Sequence, residues 1–199
     1  MMYLVLLIGN GFAGDVDTHL SSIENKYAGV QGVQAQFVQE TSNPLLKQPY
    51  VQEGQVSVSK PAMLHWEFQK PIEQHYYADK EKITIWTPSQ NQAIITPNQE
   101  QSAGLTEILT NLSQLKNKYK IELLSEENAQ IQLKLSSAEQ EGSIQLWFAA
   151  EDYVLQQVLV DTANAQTKVF FKEMQLNPSF ESNEFVFEPK EDTEIQDSR

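Results

Sequence analysis

Apolar residues recur along this chain in two rhythms. Val16, Leu20, Ile23 and Tyr27 fall at helical spacing, with Ser, Glu, Asn and Lys between them. That pattern predicts a short amphipathic helix with one apolar stripe. From Gln34 the period shortens to two. Alternation predicts strands over residues 35–40, 51–59, 63–69, 73–78, 82–87 and 91–96. Turn signals separate them at Asn43-Pro44, Lys60-Pro61, Lys70-Pro71, Asp79-Lys80 and Thr87-Pro88. Connections this short require antiparallel hairpins, because parallel crossovers need a dozen or more residues.

A second helical stripe interrupts the strands: Leu105, Ile108, Leu109, Leu112 and Leu115, preceded by Gly104. Strand patterns resume at 118–124, 130–135, 143–148, 153–161 and 167–176, with a short piece at 185–187. Residues 15–190 read as one domain and residues 191–199 as an acidic tail. The count is about eleven strands and two helical segments. A sheet of that size tends to curl, which makes one face concave. Each helix has an apolar stripe to bury, and the concave face is the only large apolar surface on offer. The expected fold is mainly β (α+β): an incomplete antiparallel β-barrel of about eleven strands, with helices as plug or lid over an apolar cavity.

Residues 1–14 are set apart from this fold. The run from Tyr3 to Gly9 is apolar and uncharged, yet too short to span a bilayer. Gly11-Phe12-Ala13 then offers a small-x-small cleavage pattern, followed by Asp15 and Asp17. A secretory signal peptide is expected, although no Lys or Arg precedes the apolar run; a buried N-terminal strand is the other reading. No later segment approaches ~18 continuous apolar residues, so a soluble mature chain is expected.

Charge and composition narrow the function. There are 27 acidic and 14 basic residues, a net charge of −13. Such a surface repels phosphate backbones and anionic headgroups, so neither nucleic acid nor stable membrane insertion is expected. Cysteine is absent, which removes disulfides, thiolate metal sites, cysteine nucleophiles and N-terminal lipidation together. For an exported chain, that composition points to a bacterial periplasm.

Catalytic signatures are missing: there is no GxSxG elbow, HExxH pair, GxGxxG loop or Walker sequence. No enzyme activity and no cofactor are expected. The acidic clusters at Glu126-Glu127, Glu139/Glu141 and 188–194 read as solvated charge. Across the hairpin at Lys70-Pro71, His65, His75 and Glu67 share one face and have the reach to hold zinc. They alternate with Leu64, Trp66 and Phe68, however, so they are expected to point to solvent, and no metal site is expected. What remains is apolar. Phe37, Val56, Val58, Leu64, Trp66, Phe68, Ile83, Ile85, Ile94, Leu133, Leu146, Phe148, Val158, Val160, Val169 and Phe171 recur on alternate strand positions. They suit an ordinary sheet core or the lining of an apolar cavity, and periodicity does not choose between the two.

A resemblance does. Gln36-Phe37-Val38-Gln39, then Gly54-Gln55-Val56-Ser57-Val58, then Lys60-Pro61-Ala62-Met63-Leu64-His65-Trp66-Glu67 are similar to the opening of the periplasmic lipoprotein carrier family, LolA. Lys70-Pro71, the block from Asp79 to Pro88, Gln92, and Phe185-Val186-Phe187-Glu188-Pro189 continue the family pattern in order. Two positions depart from it: Lys80 stands for the usual Gly after Asp79, and Thr87 for the usual aromatic before Pro88.

The resemblance implies an incomplete barrel whose interior takes the acyl chains of lipoproteins released at the inner membrane. Implied partners are acylated lipoproteins as cargo, an inner-membrane lipoprotein-releasing ABC transporter and an outer-membrane acceptor lipoprotein; a monomer is expected. By position, Lys60 matches the family's basic lid latch before proline, and an edge lysine that discourages sheet aggregation is the alternative. Expected cavity residues are Leu20, Ile23, Phe37, Val56, Val58, Leu64, Trp66, Phe68, Leu105, Ile108, Leu109, Leu146 and Phe148. Exposed acyl chain costs ~0.8 kcal/mol per CH₂ in water, so such cargo needs shelter to cross an aqueous compartment. Helix stripes that fill the cavity when empty and move aside when loaded give the required competition. A carrier or sensor of another lipid on the same fold is the alternative function.

Overall fold

The structure is a computed structural model, and it describes residues 15–98, 108–109, 111–137 and 142–199. The signal-peptide expectation, Leu105 and the acidic pair Glu139/Glu141 therefore lie outside the described residues.

Helix α1 (Val16–Tyr27) opens the fold. The Asp15 side chain caps it, its Oδ1 accepting the Asp17 N–H at 3.3 Å, and this satisfies an otherwise orphaned donor of the first turn. Eleven strands follow: β1 (Gly32–Ser42), β2 (Tyr50–Ser59), β3 (Met63–Lys70), β4 (Gln74–Ala78), β5 (Lys82–Thr87), β6 (Gln92–Pro97), β7 (Lys120–Glu127), β8 (Gln130–Ser136), β9 (Ser143–Ala149), β10 (Leu155–Asp161) and β11 (Gln166–Leu176). They sit where the alternation places them. The piece expected at 185–187 is irregular instead, and a twelfth strand, β12 (Glu194–Asp197), lies within the stretch expected to be a tail.

All twelve form one sheet, in the order β12-β6-β5-β4-β3-β2-β1-β11-β10-β9-β8-β7. Its two ends do not pair with each other, so the barrel stays open. Every pairing is antiparallel except β12 with β6, which is parallel. The long pairing of β1 with β11 joins the first half of the chain to the last, with Phe37 opposite Phe171.

One core occupies the inner face of this sheet. Leu20, Ile23 and Tyr27 of α1 pack there with Ile108, Leu109, Leu112 and Leu115 against strand residues from both halves. Leu112 and Leu115 belong to a 3-10 helix, Leu112–Asn117. No described helix is long and apolar enough to cross a membrane.

Candidate functional site

The inner face is built around Phe37. Its ring lies 4.7 Å from Trp66 and edge-on to Phe68 at 5.4 Å, while Phe68 meets Tyr76 edge-on at 5.7 Å. Strand register produces this cluster. Val56 stands opposite Trp66 and Leu64 opposite Ala78, so alternate residues of β2, β3 and β4 face one way. Phe37, Val56, Val58, Leu64, Trp66, Phe68, Leu146 and Phe148 are all buried on this face, together with Leu20, Ile23, Ile108 and Leu109 from the helical pieces. Every described member of the expected cavity set thus shares one core.

Toward β5 and β6 the same face is less filled. Ile83, Ile85 and Ile94, expected in a sheet core or a cavity lining, are only half-buried, whereas Ala93 and Ile95 on the opposite face are buried. Packing at this end of the sheet is inverted because the C-terminal segment covers the outer face. The half-covered isoleucines leave an apolar ledge beside the aromatic cluster.

A polar feature lies inside the apolar region. The indole N–H of Trp66 is buried and has no hydrogen-bond partner among the described residues. An unpaired buried donor costs about 1–3 kcal/mol.

The helical pieces are held by specific polar contacts. Lys116 Nζ reaches Glu24 Oε2 at 2.6 Å and joins the 3-10 helix to α1. The Leu155 N–H donates to the Tyr27 hydroxyl at 3.0 Å, which fixes the end of α1 to β10. Burial pushes the Tyr27 phenol up to about 12; the Leu155 hydrogen bond opposes that shift and Asp152 adds to it. His19, also buried, stands 3.4 Å from the Tyr153 hydroxyl and 3.5 Å from Glu126 Oε2. Sequence reasoning missed the Lys116–Glu24 pair. Lys60, the expected latch, ends up half-buried just beyond β2. Its backbone N–H donates to the Gln31 carbonyl at 2.8 Å, and its ammonium pairs with no described residue.

The outer face of β3 and β4 carries a second cluster, and here the sequence expectation needs correction. His65, Glu67 and His75 do lie opposite the core side, but they do not point into open solvent: His75 is only 8% exposed. The C-terminal segment passes over them. Glu184 Oε1 stands 3.3 Å from His65 Nδ1, and Phe187 packs on Tyr77 and Trp86 at 6.1 and 5.8 Å. His65 Nε2 and His75 Nδ1 are 3.1 Å apart, and His75 Nε2 is 3.1 Å from Glu73 Oε1. Tyr77 stacks on His65 at 4.4 Å. Burial pushes the His65 imidazole below its ordinary value, against the pull of Glu184. Burial also pushes the Tyr77 phenol up to about 12, with Glu67 and Glu184 adding to the shift. Ligating atoms of His65, Glu67 and His75 all lie within 4.8 Å of one another.

The comparisons with known proteins agree with this architecture. The family model described as "Outer membrane lipoprotein carrier protein LolA" matches residues 28–188. An outer-membrane lipoprotein carrier protein of Xylella fastidiosa (strain Temecula1) is 28% identical over 176 residues, covering 84% of this chain and 82% of its own. One from Helicobacter pylori (strain J99) is 24% identical over 174 residues, covering 87% and 83%. Among solved structures, an uncharacterized conserved protein from Thermus thermophilus superposes with a TM-score of 0.60 at 12% identity, covering 92% of this chain and 98% of its own; it shares the fold. With a family model matched across strands β1–β11 and relatives aligned over most of both lengths, the chain belongs to the LolA outer-membrane lipoprotein carrier family.

Proposed function

We propose that this protein is a periplasmic carrier that shelters the acyl chains of lipoproteins against the inner face of its open barrel and performs no chemical step. Cargo is received from a lipoprotein-releasing transporter of the inner membrane and passed to an acceptor at the outer membrane. The observation that carries this reading is the helical plug. Ile23, Ile108, Leu109 and Leu112 bury apolar stripes on the face of an open sheet, so a ligand of similar apolarity competes for the surface they cover. Displacing the plug costs its buried area, about 25 cal/mol per Å², and entering acyl chains return a comparable amount.

Two further features fit acyl esters better than bare hydrocarbon. The unpaired Trp66 N–H offers a donor to an ester carbonyl, and the half-exposed ledge of Ile83, Ile85 and Ile94 gives the chains an entrance. Lys60 stands just beyond β2, half-buried, and its ammonium, which pairs with no described residue, is placed to latch a lid.

Mass spectrometry on protein isolated gently from its native periplasm tests the proposal. Co-purified acylated lipoproteins are the expected result. A free glycolipid or other lipid would replace this reading with carriage of that lipid.

A further inference from the structure

The unexplained feature of the molecule is the chain of groups on the outer face, Glu73–His75–His65–Glu184, which plays no part in sheltering cargo. Its three contacts are 3.1, 3.1 and 3.3 Å long. Both end groups are carboxylates and only accept hydrogen bonds, while each neutral imidazole brings one N–H. Two N–H groups cannot serve three contacts. When His75 donates to Glu73 and His65 donates to Glu184, the lone pairs of His65 Nε2 and His75 Nδ1 face each other with no proton between them. Carboxylates behind the imidazoles fix this tautomer, as they do for histidines that bind metal.

We propose that His65, His75 and Glu67 form a binding site for a divalent transition-metal ion of the zinc type, with Glu184 and Glu73 orienting the two imidazoles. Nitrogens each ~2.0–2.1 Å from one tetrahedral zinc stand about 3.3 Å apart, and His65 Nε2 and His75 Nδ1 are 3.1 Å apart. Glu67 lies directly across the ladder from His75 and two residues from His65 on the same face. One of its carboxylate oxygens lies within 4.8 Å of a ring nitrogen of each histidine, a gap that rotation of a long side chain closes, and a water completes the four positions. Charge favours a cation: Glu67, Glu73 and Glu184 surround the pair, and none of them is in an ion pair with a described Lys or Arg. Tyr77, Trp86 and Phe187 wall the cluster with rings. Because Glu184 belongs to the C-terminal segment, a bound metal fastens that segment to β3 and β4.

Titrating metal-stripped, full-length protein with zinc sulfate by calorimetry, with magnesium as the control ion, tests the site. One zinc per chain and a raised Tm are expected, with no response to magnesium. His65→Gln should weaken the zinc affinity at least tenfold. Glu67→Gln removes a ligand from the partly exposed strand face without disturbing the buried imidazoles, and it should also weaken binding. His19→Gln, on the far side of the sheet, should leave affinity unchanged. Failure of the folded wild-type chain to take up zinc would overturn the proposal. So would binding that survives both His65→Gln and Glu67→Gln, which would place the ion elsewhere on this acidic chain.

Discussion

Lys116 Nζ lies 2.6 Å from Glu24 Oε2 and ties the two halves of the helical plug to one another rather than to the sheet. The pair sits at the rim: the Lys116 side chain is 57% exposed and that of Glu24 21%. At such exposure it contributes little to global stability, on the order of 0.2–1 kcal/mol. On the proposed carrier reading, the pair holds the two pieces together and adds an amount of that size to the cost of parting them. Lys116→Met should therefore increase the binding of an apolar fluorescent dye while moving thermal stability by less than about 1 kcal/mol. Unchanged dye affinity would mean that the plug opens without parting the two pieces.

Gly54 is fixed by close approach rather than by turn geometry. It sits opposite Phe37, beside the irregularity where β2 and β3 shift register. A Cβ there would collide with the Glu67 carbonyl and lie 3.1 Å from the Phe37 ring. Backbone on one side and the central aromatic on the other leave it no space. Gly54→Ala should cost about 1–3 kcal/mol through overpacking, read as a lowered midpoint in urea at unchanged slope. It should also reduce dye binding, because Phe37 must shift. Wild-type stability would mean that the two strands part easily at this irregularity.

Much of the fold is legible in the sequence because the forces that form it are local. Alternation places β1 to β11 within a few residues, and the stripes of α1 and of Ile108, Leu109, Leu112 and Leu115 identify their buried sides. The inner site is legible for the same reason, since Phe37, Trp66 and Phe68 follow from parity and register. Parity fails where a second layer arrives from far along the chain. Alternation alone turns His65 to solvent; Glu184, which covers it, comes 119 residues later. The same cover buries Ala93 and Ile95 and leaves Ile94 half-exposed. Strand β12 has no apolar alternation to announce it, since Glu194, Gln196 and Asp197 flank the single Ile195. Backbone hydrogen bonds to β6 place it, helped by side-chain contacts of Asn91, Thr193 and Ser198, and none of these carries a periodic signature.

Tyr27 gives the fold an alkaline limit. Its phenol is pushed up to about 12, chiefly by burial, whereas an unfolded tyrosine ionises near 10. The folded state thus holds its proton more tightly than the unfolded one. The stability this contributes is fully present below pH 10 and is lost as pH rises through 12. A two-unit difference corresponds to about 3 kcal/mol. Tyr27→Phe should flatten the fall in stability between pH 10 and 12, followed by urea denaturation at stepped pH. Tyr77 retains its own share of the slope. At neutral pH the variant should lose about 1 kcal/mol, because the Leu155 N–H loses its acceptor. An alkaline profile identical to wild type would mean that Tyr27 is freed before the fold gives way.

Strand β12 protects an edge. The Glu194 N–H donates to the Asn91 carbonyl and the Ser198 N–H to the Ile95 carbonyl, each at 3.0 Å, so the open side of β6 is occupied. Without β12, β6 would present unpaired backbone groups next to Ala93 and Ile95, a template for another chain. Strand β12 is short, four residues, and carries the exposed charges Glu194 and the Asp197–Arg199 pair, which makes the present edge a poor one for further pairing. A stop after Lys190 removes β12 while keeping Glu184 and Phe187 over β3 to β5. The shortened chain should keep its β-rich circular dichroism spectrum and gain concentration-dependent self-association in sedimentation velocity, while the full chain sediments as a monomer. A truncated chain that stays monomeric at high concentration would show that twist or side chains already blunt the β6 edge, and that β12 is not needed to guard it.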